Sequence, residues 1–191
     1  MKKVILASGS PRRRELLDQM GIDYEVVVSD VDETSMEDIA PYELVQALAR
    51  LKAQAVVKAI SAEKEKVLVV GADTIVVLEN EILGKPANSL EATKMLRKLS
   101  GKMHIVYTGV AVVSTQDGLE EVFTEQTNVY MKNMSHDEIE KYVLTHEPLD
   151  KAGSYGIQGK GGVFVEKIEG DYFSVVGLPI SRLYESLKRL S

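Results

Sequence analysis

Apolar, β-branched runs alternate along the chain with stretches in which apolar residues recur every three or four positions. Continuous apolar runs predict buried strands, and the longer period predicts amphipathic helices. The predicted strands span residues 3–7, 24–28, 67–78, 82–83, 104–114, 122–132, 163–168 and 172–176. The predicted helices span approximately residues 11–20, 41–61, 89–99, 135–144 and 179–190. This alternation predicts an α/β fold with a substantial sheet.

Local signals define several of the element ends. The strands 104–114 and 122–132 flank a turn around Gly118, so they are predicted to form an antiparallel hairpin. Ser135 and Glu138 stand three residues apart, as in a capping box, and predict a helix start at that point. Residues 29–38 are acidic and predict a loop.

The composition narrows the class of protein. With 191 residues, 45% hydrophobic and 27% charged, the chain fits one globular domain over residues 1–191. It has no apolar run of 18 residues, and its apolar run at the N-terminus is too short for a signal-peptide core. A cytoplasmic protein without a membrane partner is therefore expected. Cysteine is absent, which excludes disulfides, thiol nucleophiles and cysteine-ligated metals.

The net charge of −6 gives the surface no general attraction for nucleic acid, so none is expected as a partner. A small anion needs only a local patch of positive charge. Arg12, Arg13 and Arg14 form such a patch directly after Ser8-Gly9-Ser10-Pro11. Free N–H groups at a helix start, two hydroxyls and three guanidinium groups suit a phosphate. The alternative is a solvated helix start whose Ser10 caps the helix and does nothing else.

Asp73 and Lys52 are charged residues at apolar positions. Asp73 interrupts the apolar strand 67–78, and burial of an unpaired carboxylate costs several kcal/mol. The carboxylate must therefore face solvent, hydrogen-bond donors or a metal ion, and a sheet-edge Asp bonded to nearby backbone is the alternative. Lys52 lies on the apolar stripe of its helix, where it could snorkel to solvent or reach a phosphate.

Three further residues are candidates for nucleotide contacts. Glu33 lies in the acidic loop, Lys85 in a Gly-Lys-Pro turn, and Gln158 in the glycine-rich segment 153–162. Five glycines in that segment let backbone approach a ligand, and the Gln158 amide can both donate and accept at a base edge. A solvated charge cluster and flexible loops are the alternatives.

Taken together, the motifs resemble the Maf family of nucleotide pyrophosphatases, and the likeness covers nearly the whole chain. The matching blocks are 6–13 (LASGSPRR), 71–74 (GADT), 84–86 (GKP), 99–101 (LSG), 150–159 (DKAGSYGIQG) and 176–179 (VGLP). The resemblance implies an elongated mixed sheet flanked by helices, of the inosine-triphosphatase-like type, with a central cleft between two lobes. It further implies hydrolysis of a nucleoside triphosphate to the monophosphate and pyrophosphate, assisted by a divalent cation such as Mg²⁺, Mn²⁺ or Co²⁺.

The resemblance also assigns roles to residues. It makes Asp73 the general base and a metal ligand, and Glu33 a ligand of the metal or of water. Base specificity is carried over to Arg12, Thr74 and Gln158. The triphosphate contacts carried over are Arg13, Lys52 and Lys85, with Ser8 as a hydroxyl of the anion site.

Three of these blocks, through the residues SPRR, ADT and DKAGSYGIQG, resemble the dTTP/UTP branch, with CTP and modified pyrimidine nucleotides as further substrates. A purine-selective enzyme for modified GTP is the alternative enzyme. A nucleotide-sensing regulator of septum formation is the alternative from another class. The oligomeric state stays open, with a homodimer as one alternative.

Overall fold

The computed structural model describes residues 3–29, 31, 39–60 and 66–191 of the chain. Over these ranges it contains seven β-strands and six α-helices. The strands are β1 (Lys3–Leu6), β2 (Tyr24–Val26), β3 (Val67–Leu78), β4 (Glu81–Leu83), β5 (Met103–Ser114), β6 (Glu120–Met131) and β7 (Val165–Glu169). The helices are α1 (Pro11–Gln19), α2 (Pro41–Ile60), α3 (Ser89–Leu99), α4 (His136–Val143), α5 (Tyr172–Val176) and α6 (Ile180–Leu190).

The strands join in one mixed sheet in the order β2-β1-β3-β5-β6-β7, and β4 pairs with β3 outside that path. β1 runs parallel to both of its neighbours, with Leu6 opposite Val26 on β2 and Val70 on β3. β4 and β7 pair antiparallel with β3 and β6. The predicted α/β class with a mixed sheet flanked by helices is confirmed.

The chain divides into two compact units, each built from several segments. The first unit comprises residues 1–73, 108–125 and 177–191. In its core, α2 contributes Ala49, Ala53 and Val56 to a buried cluster with residues of β1, β3 and β5. The second unit comprises residues 74–107 and 126–176. Its core joins α3 and α4 to residues of β3 to β6 and to Tyr155 and Phe164.

The element ends with local capping signals were predicted correctly. α3 begins after Asn88, whose side chain accepts the backbone N–H of Glu91 at 3.0 Å. At the start of α4, Ser135 and Glu138 form the predicted capping box, with the Glu138 carboxylate accepting the Ser135 N–H at 2.8 Å. Ser10 occupies the N-cap position of α1 as predicted, but its side chain makes no capping hydrogen bond.

Two predicted strands near the C-terminus were wrong. The strand predicted at 163–168 starts too early, and the strand predicted at 172–176 is a helix over its full length. Residues 172–176 form α5, because Asp171 acts as a cap and its Oδ1 accepts the Phe173 N–H at 2.7 Å. The Thr127 hydroxyl accepts the Asp171 N–H at 2.9 Å and holds that cap in place. These bonds outweigh the strand propensity of the aromatic and β-branched residues in the segment. Further back, residues 160–164 form a 3-10 turn, so β7 begins only at Val165.

Among the described residues, no helix is both long and apolar enough to cross a membrane.

Candidate active site

The loop between β1 and α1, residues 7–10, is called the anion loop below. Its buried Ser8 accepts hydrogen bonds at Oγ from the Ser10 N–H (3.3 Å) and from Arg13 Nη1 (2.9 Å). Arg13 Nε donates to the carbonyl of Gly177 at 2.8 Å. The guanidinium group of Arg13 is therefore oriented by the protein itself, against the loop where the sequence predicts a phosphate.

Asp73 lies on β3, the strand next to the one that leads into the anion loop. β1 and β3 run parallel, and beyond the Leu6–Val70 pair the Ala7 N–H still donates to the Val70 carbonyl at 2.8 Å. Asp73 lies three residues further along β3. Ligands in α/β sheets bind characteristically outside the carboxyl ends of parallel strands. The anion loop follows the carboxyl end of β1 in this way, whereas Asp73 lies within β3, which continues to Leu78.

Lys52 on α2 contacts Asp73 directly. Its Nζ lies 2.6 Å from Asp73 Oδ1, and the two side chains are 14% and 13% exposed. The sequence left two alternatives for Lys52, snorkelling or a phosphate contact, and the structure shows an ion pair that neither alternative named. A carboxylate has two oxygens with several lone pairs, so this ion pair leaves capacity for further partners of Asp73.

Gly71 explains how Lys52 reaches Asp73. A Cβ at this position would lie 2.1 Å from the carbonyl oxygen of Ala49 and 2.8 Å from the backbone nitrogen of Ala53. The backbone of α2 therefore rests directly on β3. Gly109 on β5 has the same role at the preceding turn of α2, since its Cβ would lie 2.2 Å from the Val45 carbonyl oxygen. Only glycine permits this close approach of helix to sheet.

Lys52→Met tests the ion pair. Removal of a cation from an apolar stripe would by itself raise stability, but the pair reverses that expectation, because Asp73 would keep a largely buried charge without its ammonium partner. We expect the free energy of unfolding to fall by about 1–3 kcal/mol, measured by urea denaturation. The double variant Lys52→Met/Asp73→Asn should recover part of this loss. Equal stability of wild type and Lys52→Met would show that the pair contributes nothing.

Lys85 and the glycine-rich segment meet in the second unit. The Gly153 N–H donates to the Gly84 carbonyl at 3.1 Å, so the turn that carries Lys85 is hydrogen-bonded to the segment that carries Gln158. Gly153 has a φ of 67° and packs against Val76. Lys85 and Gln158 themselves are exposed.

The remaining predicted residues lie as follows. Arg12 is the second residue of α1 and is half-buried. Thr74 is half-buried in β3, directly after Asp73. Glu33 lies outside the described residues. The roles of these residues stay predictions.

Two residues that the sequence did not single out hold the glycine-rich segment. Glu147 begins a 3-10 turn after α4 and accepts backbone N–H groups of that segment, as does the hydroxyl of Tyr142. Burial raises the pKa of Tyr142 and favours its protonated, donating form. A single acid ahead of a run of glycines is too common a pattern to predict such contacts.

Asp73 is the only one of the two predicted metal ligands that the structure describes. Among the described residues, no group of three or more His, Asp or Glu side chains is arranged to hold a metal ion. Mg²⁺ in nucleotide enzymes is held through one or two carboxylates together with substrate phosphate oxygens. A single carboxylate beside an anion loop fits that mode of binding, whereas it would not fit a site made of protein ligands alone.

Two curated relatives match nearly the full length of the chain. The dTTP/UTP pyrophosphatase of Bacillus cereus (strain ATCC 10987 / NRS 248) is 53% identical over 191 residues, covering 100% of this chain and 91% of the relative. The dTTP/UTP pyrophosphatase of Bacillus cereus (strain G9842) is 54% identical over 189 residues, covering 99% and 96%.

A solved structure supports the fold alone. The Staphylococcus aureus Ham1 protein aligns over 100% of both chains with a TM-score of 0.53 and 18% identity. The family model described as Maf-like protein matches residues 3–190. With that match and with relatives of such identity over its whole length, the chain belongs to the Maf-like protein family.

Proposed function

We propose that this chain is a nucleoside triphosphate pyrophosphatase that converts dTTP and UTP to the monophosphate and pyrophosphate. The observation that carries the proposal is the 53% identity, over the full chain, to a relative named dTTP/UTP pyrophosphatase. An anion loop after β1 and the Asp73 carboxylate on the neighbouring strand β3 support it. CTP and modified pyrimidine nucleotides are further candidate substrates.

The proposed reaction is attack of one water molecule on the α-phosphorus. The new bond joins the water oxygen to that phosphorus, and the bond from the α-phosphorus to the α,β-bridging oxygen breaks. Asp73 accepts the proton of the attacking water, which is the role of a general base. The electron pair of the broken bond leaves with pyrophosphate, so no covalent enzyme intermediate is needed.

Negative charge develops on the leaving pyrophosphate as this bond breaks, and positively charged side chains are needed to stabilise it. Arg13, Lys52 and Lys85 have that role in the proposal, with Ser8 and the anion loop as hydrogen-bonding groups. Asp73 and Glu33 would hold the divalent cation. When bound, such a cation neutralises phosphate charge and lowers the pKa of the attacking water.

Gln158→Ala tests whether Gln158 recognises the base. A pyrimidine presents O4, N3 and O2, and an amide can donate to one of these and accept from another. Loss of a hydrogen bond in a base site costs on the order of 1–3 kcal/mol, so we expect kcat/KM for dTTP and UTP to fall by about 10- to 100-fold. Purine triphosphates should lose less. Pyrophosphate release from dTTP, UTP, CTP, ATP and GTP measures the profile.

The matched control is Gln116→Ala, which changes an exposed glutamine in the turn between β5 and β6. It should leave the whole profile unchanged. A uniform loss over all five nucleotides for Gln158→Ala would show that Gln158 does not read the base.

The same assay separates the rival functions. A purine-selective enzyme would release pyrophosphate fastest from GTP or a modified GTP. A nucleotide-sensing regulator of septum formation would bind nucleotides tightly without turnover.

We also propose that the protein is located in the cytoplasm, since nucleoside triphosphates are made and used there.

A further inference from the structure

The glycine-rich segment is anchored at its far end by one carboxylate. Glu147 Oε2 accepts the Lys160 N–H at 2.9 Å, and Oε1 accepts the Gly161 N–H at 3.2 Å. The Tyr142 hydroxyl donates to the same Oε1 at 2.9 Å. Three donors therefore converge on the two oxygens of one side chain and fix its position.

Tyr142 anchors the near end of the segment. Its hydroxyl oxygen, while donating to Glu147, accepts the Gly156 N–H at 3.1 Å. The ring is buried and packs edge to face on Phe164, with 5.4 Å between the centroids. Gln158 stands midway between the two anchored ends and is exposed. The pair Tyr142 and Glu147 thus ties down both sides of the turn that presents Gln158.

Two glycines of the segment are explained by these anchors. A Cβ at Gly159 would lie 2.4 Å from Glu147 Oε1, and a Cβ at Gly161 would lie 2.4 Å from the Tyr142 hydroxyl oxygen. Glycine at these positions lets the backbone close on the two side chains. The segment is therefore shaped by specific contacts, and the alternative of a merely flexible loop does not apply to residues 156–161.

The carboxylate is charged at neutral pH. Burial alone would raise the pKa of Glu147, but the backbone N–H groups of Lys160 and Gly161, the Tyr142 hydroxyl and the Lys151 ammonium outweigh it and lower that pKa. Hydrogen bonds to an ionised acceptor are stronger than those to a neutral one. A neutral side chain of the same shape would hold the segment less firmly.

We propose that Glu147 is a positioning residue for nucleobase recognition, which it serves by holding the segment from Gly156 to Gly161 so that Gln158 is presented in one orientation. This inference rests on the proposed function, in which Gln158 contacts the base. A segment fixed before binding loses less conformational freedom when the ligand arrives. The contribution of Glu147 should therefore appear in substrate binding and base choice more than in the chemical step.

Glu147→Gln is the direct test. The amide keeps the size of the side chain but turns one acceptor into an NH₂ group that faces a backbone N–H. We expect KM for dTTP and UTP to rise by about 10- to 100-fold, the equivalent of losing one charged hydrogen bond, while kcat changes much less. The control Glu140→Gln makes the same change on the exposed face of α4 and should leave both constants unchanged. An unchanged KM in Glu147→Gln would overturn the inference.

Tyr142→Phe covers the case in which Glu147→Gln fails to fold. It removes only the hydroxyl that joins Glu147 to Gly156 and keeps the ring on Phe164. KM should rise in the same direction by a smaller factor. A folded Tyr142→Phe variant with wild-type KM would overturn the inference as well.

A double-mutant cycle with Gln158→Ala shows whether Glu147 acts through Gln158. In the Gln158→Ala background, Glu147→Gln should raise KM by less than about twofold, because the group it positions is already gone. If Glu147→Gln raised KM by the same factor with and without Gln158, the positioning role would be refuted.

Amide hydrogen exchange separates this inference from the proposed function. Exchange at Lys160 and Gly161 should speed up in Glu147→Gln whatever the substrate is. If wild type releases no pyrophosphate, the proposed function fails although exchange responds. If exchange does not respond, the anchoring itself is refuted although the enzyme is active.

Discussion

Asp73→Asn is expected to remove most turnover while the protein stays folded. The amide has nearly the same shape and can still accept a hydrogen bond from Lys52, but it cannot take the proton of the attacking water. General-base catalysis contributes typically ~10²–10⁴-fold, so kcat should fall by that factor for every nucleotide. Nucleotide affinity should change far less. Pyrophosphate release and nucleotide binding are measured on the same preparation.

The control for this variant is Asp117→Asn in the turn between β5 and β6. Asp117 is exposed, and its Oδ1 accepts the Leu119 N–H. The side-chain oxygen of an asparagine at this position can accept the same hydrogen bond. This variant should keep full activity. Retention of near wild-type kcat by Asp73→Asn would remove Asp73 from the role of general base.

Gly71→Ala is expected to cause a large loss of stability. The new methyl group would lie within 3.0 Å of three atoms of α2, two of them backbone, so the helix has to move off the sheet. Overpacking of this kind costs roughly 3 kcal/mol or more when backbone is displaced. In a chain of this length, the corresponding loss is about 6–12 °C in Tm. Thermal unfolding followed by circular dichroism measures it.

The same substitution should also reduce turnover, because α2 carries Lys52 and its displacement separates Lys52 from Asp73. A misplacement of about 1 Å near the chemistry can cost ~10²-fold in rate. Gly109→Ala is the matched control, since it pushes on α2 at Val45, almost two turns before Lys52. We expect a similar loss of Tm with a smaller loss of kcat. Wild-type stability of Gly71→Ala would contradict the close approach of α2 to β3.

How far the sequence could predict this molecule depends on how local each signal is. The capping box at Ser135 and the helix ends around α3 follow from residues three or four apart, and they were predicted correctly. The segment 172–176 was misread, because its side chains favour a strand while the decisive cap, Asp171, is held by Thr127 from a distant segment of the chain. Short segments of this kind follow tertiary contacts more than propensity.

In the candidate site, too, contacts between residues close in sequence could be predicted and contacts between distant segments could not. Ser8 and Arg13 lie in one short block, and the structure joins them by a hydrogen bond, as their proximity suggests. The pairing of Lys52 with Asp73 depends on how α2 rests on β3, which no pattern in either segment specifies. Motifs thus identify residues, but they do not specify which side chain contacts which.

The bond from Arg13 to the Gly177 carbonyl joins residues 164 positions apart. On the ribosome, the chain leaves the exit tunnel from its N-terminus, so Arg13 emerges long before its acceptor exists. The anion loop therefore acquires this restraint only after residue 177 has been synthesised and released from the tunnel. Nascent chains that stall before that point carry every arginine of the motif but lack one of the two hydrogen bonds that orient Arg13.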